Sequence, residues 1–474
     1  MHNEKVFTPD RMVSLMLDEI GYYGEDILCK HIMDNSCGEG AFLVQAIQRY
    51  IFAYKSKHGN CKGLCDELKT YIHGIEIDCK CWKKCFENCQ DIVREYCDEE
   101  DFSFVNFDII NADSTDSEII SRYMFKMDYI VGNPPYCNVH HFGDNYDKYK
   151  RFEFAKDGMS DLYIIFFEIS ILMCNNDSGK IAYITPSSWL TSVAGKKLRW
   201  YLEYTGTLSV LVKFGHYQVF DTVTTYSMIT VMDFSDKGDT FTVKDFDEDR
   251  YAFKDGINKG YSDCFIKGKL YPDSDDTFKE IMEFDGEKKI CVKNGFATLN
   301  DKLFITKYCT DNTIPVIKAS TGECKNIIYP YDHNGNPLTW YELGNNTREY
   351  LERKLLELGE EKKEGWYLYG RTQAINDVPV EKVSMNNLIR DTSDLILRES
   401  MPWSGVYSGF YAVCNDDNYS NISLYNIISM SLHDDAFIEF VTKLGKYKSG
   451  GYYTYNTKDL EQYINWFLNL NILT

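Results

Sequence analysis

Positive charge is in short supply in this 474-residue chain: 51 Lys and Arg face 72 Asp and Glu, a formal net charge of −21. That balance excludes a diffuse, charge-driven coat on nucleic acid, which needs a net basic footprint. Long apolar runs are also missing. The most apolar stretch, 162–174, contains Glu168 and is too short and polar to span a bilayer. The start, MHNEKVFTPDR, lacks the apolar core of a secretory signal, so a cytoplasmic protein with no membrane association is expected. Without export, the 16 cysteines read as reduced thiols, not as a disulfide framework. Cys81, Cys85 and Cys89 recur every four residues, on one face of a helix. The usual paired zinc-ligand spacing is not clean in the 61–97 cluster, so these thiols are expected to pack as small hydrophobes and to bind no metal.

What is present is an ordinary globular composition, 44% hydrophobic and 26% charged, at a length that suits two domains. Up to about residue 235, short apolar strands alternate with helical stretches. Strands are predicted at 31–34, 71–77, 104–110, 128–132, 180–185, 208–214 and 224–232. Helices are predicted at 11–20, 41–55, 80–96, 117–125, 162–174 and 187–204. This rhythm implies an α/β fold, a mostly parallel sheet with helices on both faces. The acid-rich stretch 233–249 reads as a domain boundary, and the expected domains are 1–238 and 239–474. The second has short strands, as at 263–266, 289–296, 365–369, 395–398 and 407–414, and helices near 276–284, 347–364, 422–431, 435–444 and 458–468. It reads as a mixed α+β domain.

Chemistry concentrates where the early strands end. The first runs into DNSCGEGAFL, with Asp34 before Gly38 and Gly40, a loop that lets a ligand approach the backbone in open α/β sheets. The second ends in GIEID, with Glu76 and Asp78, and the third is followed by NADSTD, with Asp113. Each alone reads equally well as a turn or an exposed acid. Together they line the crevice at the carboxyl ends of the strands. The fourth strand delivers Asn133-Pro134-Pro135-Tyr136, two adjacent prolines in a chain with only ten. The Asn133 amide oxygen and the Pro134 carbonyl are acceptors able to grip one planar amino group, and Tyr136 offers a flat face for a stacked ring.

With VFTPDRMV, DLYIIFFEIS, GKIAYITPSSWL and FGHYQVFDTVTTYSMITV, these segments resemble, in order, the motifs of gamma-class (TaqI-like) DNA adenine-N6 methyltransferases of bacterial restriction–modification systems. The resemblance covers about residues 5–233. VKNGFATLNDKLF, YLYGRTQAI and LGKYKSGGYYTYNTKDL are similar, more loosely, to the family's target-recognition region. It implies a Rossmann-like S-adenosylmethionine-dependent methyltransferase sheet followed by a C-terminal target-recognition domain. Thr8, Pro9, Asp34, Cys37, Gly38, Gly40, Glu76 and Asp113 would then bind S-adenosylmethionine. Glu76 would hold the ribose hydroxyls and Asp113 the cofactor's adenine amino group. Asn133, Pro134, Pro135 and Tyr136 would be catalytic, and Phe220 would pack with Tyr136 against the extruded target adenine. Asn35 and Ser36 stand where the family has Pro-Ala, and Glu39 where it has a small residue.

The implied partner is double-stranded DNA, met by a monomer that either leaves cleavage to a separately encoded restriction endonuclease or acts as an orphan epigenetic methyltransferase. Methylation of a protein glutamine or of RNA is the alternative, because the same motif can grip an amide nitrogen. Lys196, Lys197, Arg199, Arg371, Gln373, Lys446 and Lys448 are candidate DNA contacts, with solvated surface the competing reading for each.

Overall fold

The computed structural model describes residues 8–97, 104–137, 147–156, 161–220, 226–415 and 423–471. They form two compact units, 1–275 and 276–474. The acidic run at 98–101 and residues 221–225 of the QVFDTVTT motif lie outside the described residues.

The first unit is built on one large sheet. Its strands are β1 (Ile32–Asp34), β2 (Ile72–Glu76), β3 (Asp108–Asn111), β4 (Tyr129–Gly132), β5 (Lys180–Pro186), β6 (Leu208–Lys213), β7 (Ser227–Asp233), β8 (Thr240–Asp247), β9 (Ala252–Phe253) and β10 (Ile257–Gly260). They lie in the order β10-β8-β6-β7-β5-β4-β1-β2-β3, with β9 paired to β8. From β3 through β5 neighbouring strands run parallel. β7 is antiparallel to both β5 and β6.

The strands between the faces show why the sheet is covered twice. Ile181 and Tyr183 of β5 join one core, while Ala182 and Ile184 join the other. On the second face lie α1 (Asp10–Glu19), α2 (Ala41–His58), α3 (Leu64–Tyr71) and α4 (Cys79–Tyr96). On the first lie α5 (Ser117–Tyr123), α6 (Leu162–Met173) and α7 (Lys196–Thr205). α6 is buried nearly all round, and each large apolar side chain it buries contributes about 1.5–3 kcal/mol. Its Glu168 accepts from the backbone nitrogens of Glu153 (2.9 Å) and Phe154 (2.7 Å), fixing the segment before it. Cys85 and Cys89 are fully buried beneath the sheet, and all 16 cysteines are free thiols.

The expected boundary at 238/239 falls inside this unit. The stretch 240–247 pairs in parallel with β6 as β8; Phe241 and Val243 join one core and Phe246 the other, while Asp245, near the strand's end, is exposed and meets Lys213 at 3.2 Å. The acids before the segment, Asp236 and Asp239, and at its end, Asp245 and Asp247, hid the strand between them. The predicted helix 187–204 is also divided, into a short turn at Ser187–Leu190 and α7.

In the second unit, two four-stranded sheets, a three-stranded sheet and several helices form a mixed α+β architecture. The helix Thr457–Asn471 is tied to the strand Ile290–Asn294 by Asn465, which accepts from Lys289 N and Ile290 N and donates to Ile290 O. The stretch 365–369 is not a strand; its aromatic residues pack into a cluster with Trp340 and Tyr331.

Candidate functional site

The loop after β1 turns because two glycines take left-handed backbone, Gly38 at φ +54° and Gly40 at φ +96°. A Cβ on Gly40 would stand 2.9 Å from Cys85 Sγ, so α4 packs directly under the loop, whereas nothing lies within 4 Å of the Cβ position of Gly38. The loop is held from β2: Gly38 N donates to Glu76 Oε2 at 2.8 Å, and Cys37 N to Ile75 O at 3.0 Å. Asp78 N donates to the other Glu76 oxygen, also at 2.8 Å, so the acid is oriented by backbone on both sides. Cys37 Sγ sits 3.7 Å from Cys85 Sγ.

Asp34 is buried, and burial pushes its carboxyl well above the usual range against the lowering pull of Ser36 N at 3.0 Å. A Cβ at Gly132 would lie 2.9 Å from Asp34 Oδ1, so the glycine at the end of β4 makes room for this acid. Asn35 occupies a closed buried triangle. It accepts from Tyr183 Oη (2.6 Å), donates to Ser170 Oγ (2.9 Å), and those two hydroxyls are 2.5 Å apart. Ser114 Oγ donates to its carbonyl at 2.5 Å.

Asp113, beyond the end of β3, accepts at Oδ1 from Thr115 N (2.9 Å) and Thr115 Oγ1 (2.7 Å). Its Oδ2 accepts from Lys148 Nζ at 2.7 Å. Burial alone would raise this carboxyl, but Lys148 and Thr115 hold it below the ordinary value. Neither Lys148 nor the Asn35 triangle carried a sequence signal. Both join residues far apart in the chain, and no spacing rule applies to such pairs.

β4 lies next to β1, so Asn133, Pro134, Pro135 and Tyr136 leave the sheet beside the glycine loop. The Asn133 amide oxygen is shielded from solvent. Tyr136 Oη donates to Ile184 O at 3.1 Å, and burial raises its phenol. Phe220 is buried and meets Tyr136 edge to face, centroids 6.3 Å apart at 66°. The expected pair comes together, but not as two parallel plates. Pro9 leads α1, and Thr8 is buried before it; Gln45 of α2 donates to Asp10 O at 2.7 Å, tying α1 to the helix that follows the glycine loop.

The candidate DNA contacts divide. Arg199 is corrected outright: it is 4% exposed, donating through Nε to Gly268 O (2.7 Å) and through Nη1 to Ser192 O (2.9 Å) and Trp189 O. It clamps α7, with its guanidinium lowered to about 10 by burial. Lys197 pairs with Glu153 at 3.1 Å, and Lys446 pairs with the buried Asp459. Gln373 donates to Gly295 O at 2.7 Å, though its residue is exposed. Lys196, Arg371 and Lys448 are exposed; Lys448 lines a shallow hollow of about 620 Å³ with Asn387, Thr454 and Asn456.

The chain is similar to known proteins in part of its sequence and in its fold. The pattern of the Eco57I restriction-modification methylase family matches residues 61–220. The chain is 25% identical to the type II restriction enzyme and methyltransferase RM.Eco57I of Escherichia coli, over 85% of this chain and 50% of that protein. It is 28% identical to the type II methyltransferase M.BstVI of Geobacillus stearothermophilus, over 41% of this chain and 35% of that one. In structure it resembles the Type ISP restriction-modification enzyme LlaGI, solved as a nuclease-deletion mutant with a DNA substrate mimic: TM-score 0.61 and 13% identity, covering 99% of this chain and 47% of that one. The chain thus spans half or less of these relatives. The matched family is one of methylases, for which S-adenosylmethionine is the implied cofactor. Over residues 61–220 the chain carries the match to the Eco57I restriction-modification methylase family, and its resemblance to restriction–modification methyltransferases is shown.

Proposed function

We propose that this chain transfers a methyl group from S-adenosylmethionine to N6 of an adenine flipped out of duplex DNA, as the modification component of a restriction–modification system. On this reading the first unit catalyses and the second reads the target. The observation that carries it is the delivery of Asn133-Pro134-Pro135-Tyr136 by β4 beside β1, whose own end bears the glycine loop held by Glu76. The residues fit the cofactor: there is open space over Gly38, and carboxylates stand at the ends of β2 and β3 with acceptor capacity beyond the bonds they already make.

S-adenosylmethionine, when bound, supplies an electrophilic methyl group on a sulfonium. Glu76, oriented by two backbone donors, accepts from the ribose hydroxyls. The Asn133 amide oxygen and the Pro134 carbonyl accept the two amino protons of the target base. They aim its nitrogen lone pair at the methyl and stabilise the positive charge it gains. Flipping the base costs a few kcal/mol, and stacking on Tyr136 and Phe220 returns about 1–3 kcal/mol. In the structure those rings stand edge to face, so a base stacked on both would need one of them to reorient.

The test is transfer of labelled methyl to duplex DNA, RNA and a glutamine-bearing protein offered side by side. Label in DNA as N6-methyladenine is the expected result, and Asn133→Ala should reduce it at least about 100-fold while S-adenosylhomocysteine still binds. Label in N4-methylcytosine would overturn the base assignment, and label only in RNA or protein would overturn the substrate.

A further inference from the structure

We propose that Lys148 positions Asp113 and thereby makes the nucleoside subsite selective for a ring bearing an exocyclic amino group. This rests on the reading above, in which Asp113 faces the cofactor's adenine. A carboxylate has about four acceptor positions. Thr115 N and Thr115 Oγ1 fill both positions of Asp113 Oδ1, and Lys148 Nζ fills one of Oδ2, at 2.7 Å. One directed lone pair remains. An amino group donates to it; a carbonyl in the same place meets a negative oxygen with nothing to donate.

Lys148 suits this role because its backbone is anchored. Its ammonium lies 4.9 Å from the centroid of the Tyr149 ring. Tyr149 is 4% exposed and Phe152 3%, both packed in the core with α6, whose Glu168 holds the backbone of Glu153 and Phe154. The ion pair is partly open to solvent, 37% for the lysine and 21% for the aspartate, so its main effect is direction rather than raw attraction. Thr115 fixes the carboxylate from its own chain segment and Lys148 from the segment that follows the catalytic motif. Neither alone defines the plane of the carboxylate.

The experiment is calorimetric titration of the full chain with S-adenosylhomocysteine and with S-inosylhomocysteine, which carries a carbonyl where adenine has its amino group. The unsubstituted protein is expected to prefer the adenosyl compound by about 100-fold. Lys148→Met and Lys148→Gln should each narrow that ratio by about tenfold, and Lys148→Arg should restore most of it. The unfolding midpoint of each variant reports whether the fold is intact. An unchanged ratio in both the Met and Gln variants would overturn the proposal while leaving the methyltransferase reading in place. Equal binding of the two compounds by the unsubstituted protein would remove the role of Asp113 and the proposal with it. Binding of neither would remove the methyltransferase reading itself.

Discussion

At Asn35 the chain departs from the motif it resembles, and the side chain shows what the departure requires. A buried amide in place of a proline must be satisfied, and Tyr183 and Ser170 do so within a closed triangle. Tyr183→Phe leaves the Asn35 oxygen without its phenol donor and Ser170 with one partner fewer. The expected loss is about 1–3 kcal/mol of unfolding free energy, read by urea denaturation. Because the triangle joins the glycine loop to α6 and β5, S-adenosylhomocysteine affinity should fall as well. Affinity unchanged alongside reduced stability would mean that the triangle serves the core and not the loop.

Elements carry the next level of the argument. The turn into α2 works only if α4 can lie against Gly40, whose Cβ position faces Cys85 Sγ at 2.9 Å. Gly40→Ala therefore meets both a left-handed backbone and a collision, and should cost about 1–3 kcal/mol of stability with weaker cofactor binding. Calorimetric melting and ligand titration on the same variant check both. Elements of this kind were readable where local pattern and tertiary role agree. β1, β2, β4, β5 and β6 and helices α1, α2, α4 and α6 stand within a few residues of their predicted spans, because apolar strands between polar loops have few alternatives. Reading failed where tertiary context decides. β8 was concealed by the acids that flank it and end it, and the break between Leu190 and Lys196 depends on Arg199 reaching the carbonyls of Trp189 and Ser192. Much of the candidate site lies at strand ends that a sequence pattern can locate. Lys148 was beyond reach because its partner stands 35 positions away and the stretch around it has no periodic pattern.

For the whole molecule, the net charge of −21 leaves any DNA-facing surface to local geometry. On the proposed function, the candidate DNA contacts named from the sequence do not act as one set. Lys196 is exposed at the start of α7, whereas Arg199 is an internal clamp. Lys196→Ala should flatten the salt dependence of duplex binding by about one unit of log–log slope, provided that α7 faces the DNA. Arg199→Ala should leave the slope alone and cost about 2–4 kcal/mol of stability, because buried carbonyls lose their donor. A slope unchanged by Lys196→Ala would move the DNA surface elsewhere. A slope changed by Arg199→Ala in a folded variant would contradict the clamp.

The extension of the large sheet through β8 and β10 also governs how the molecule can be divided. Cutting after residue 238 would strip β6 of a hydrogen-bonded neighbour along Val210–Lys213 and leave an unpaired row of amides and carbonyls. Such a bare margin templates other chains, so the fragment should self-associate into precipitate. A cut after 275 retains the guard strands, and makes that the natural end for any minimal catalytic piece or for a fusion joint.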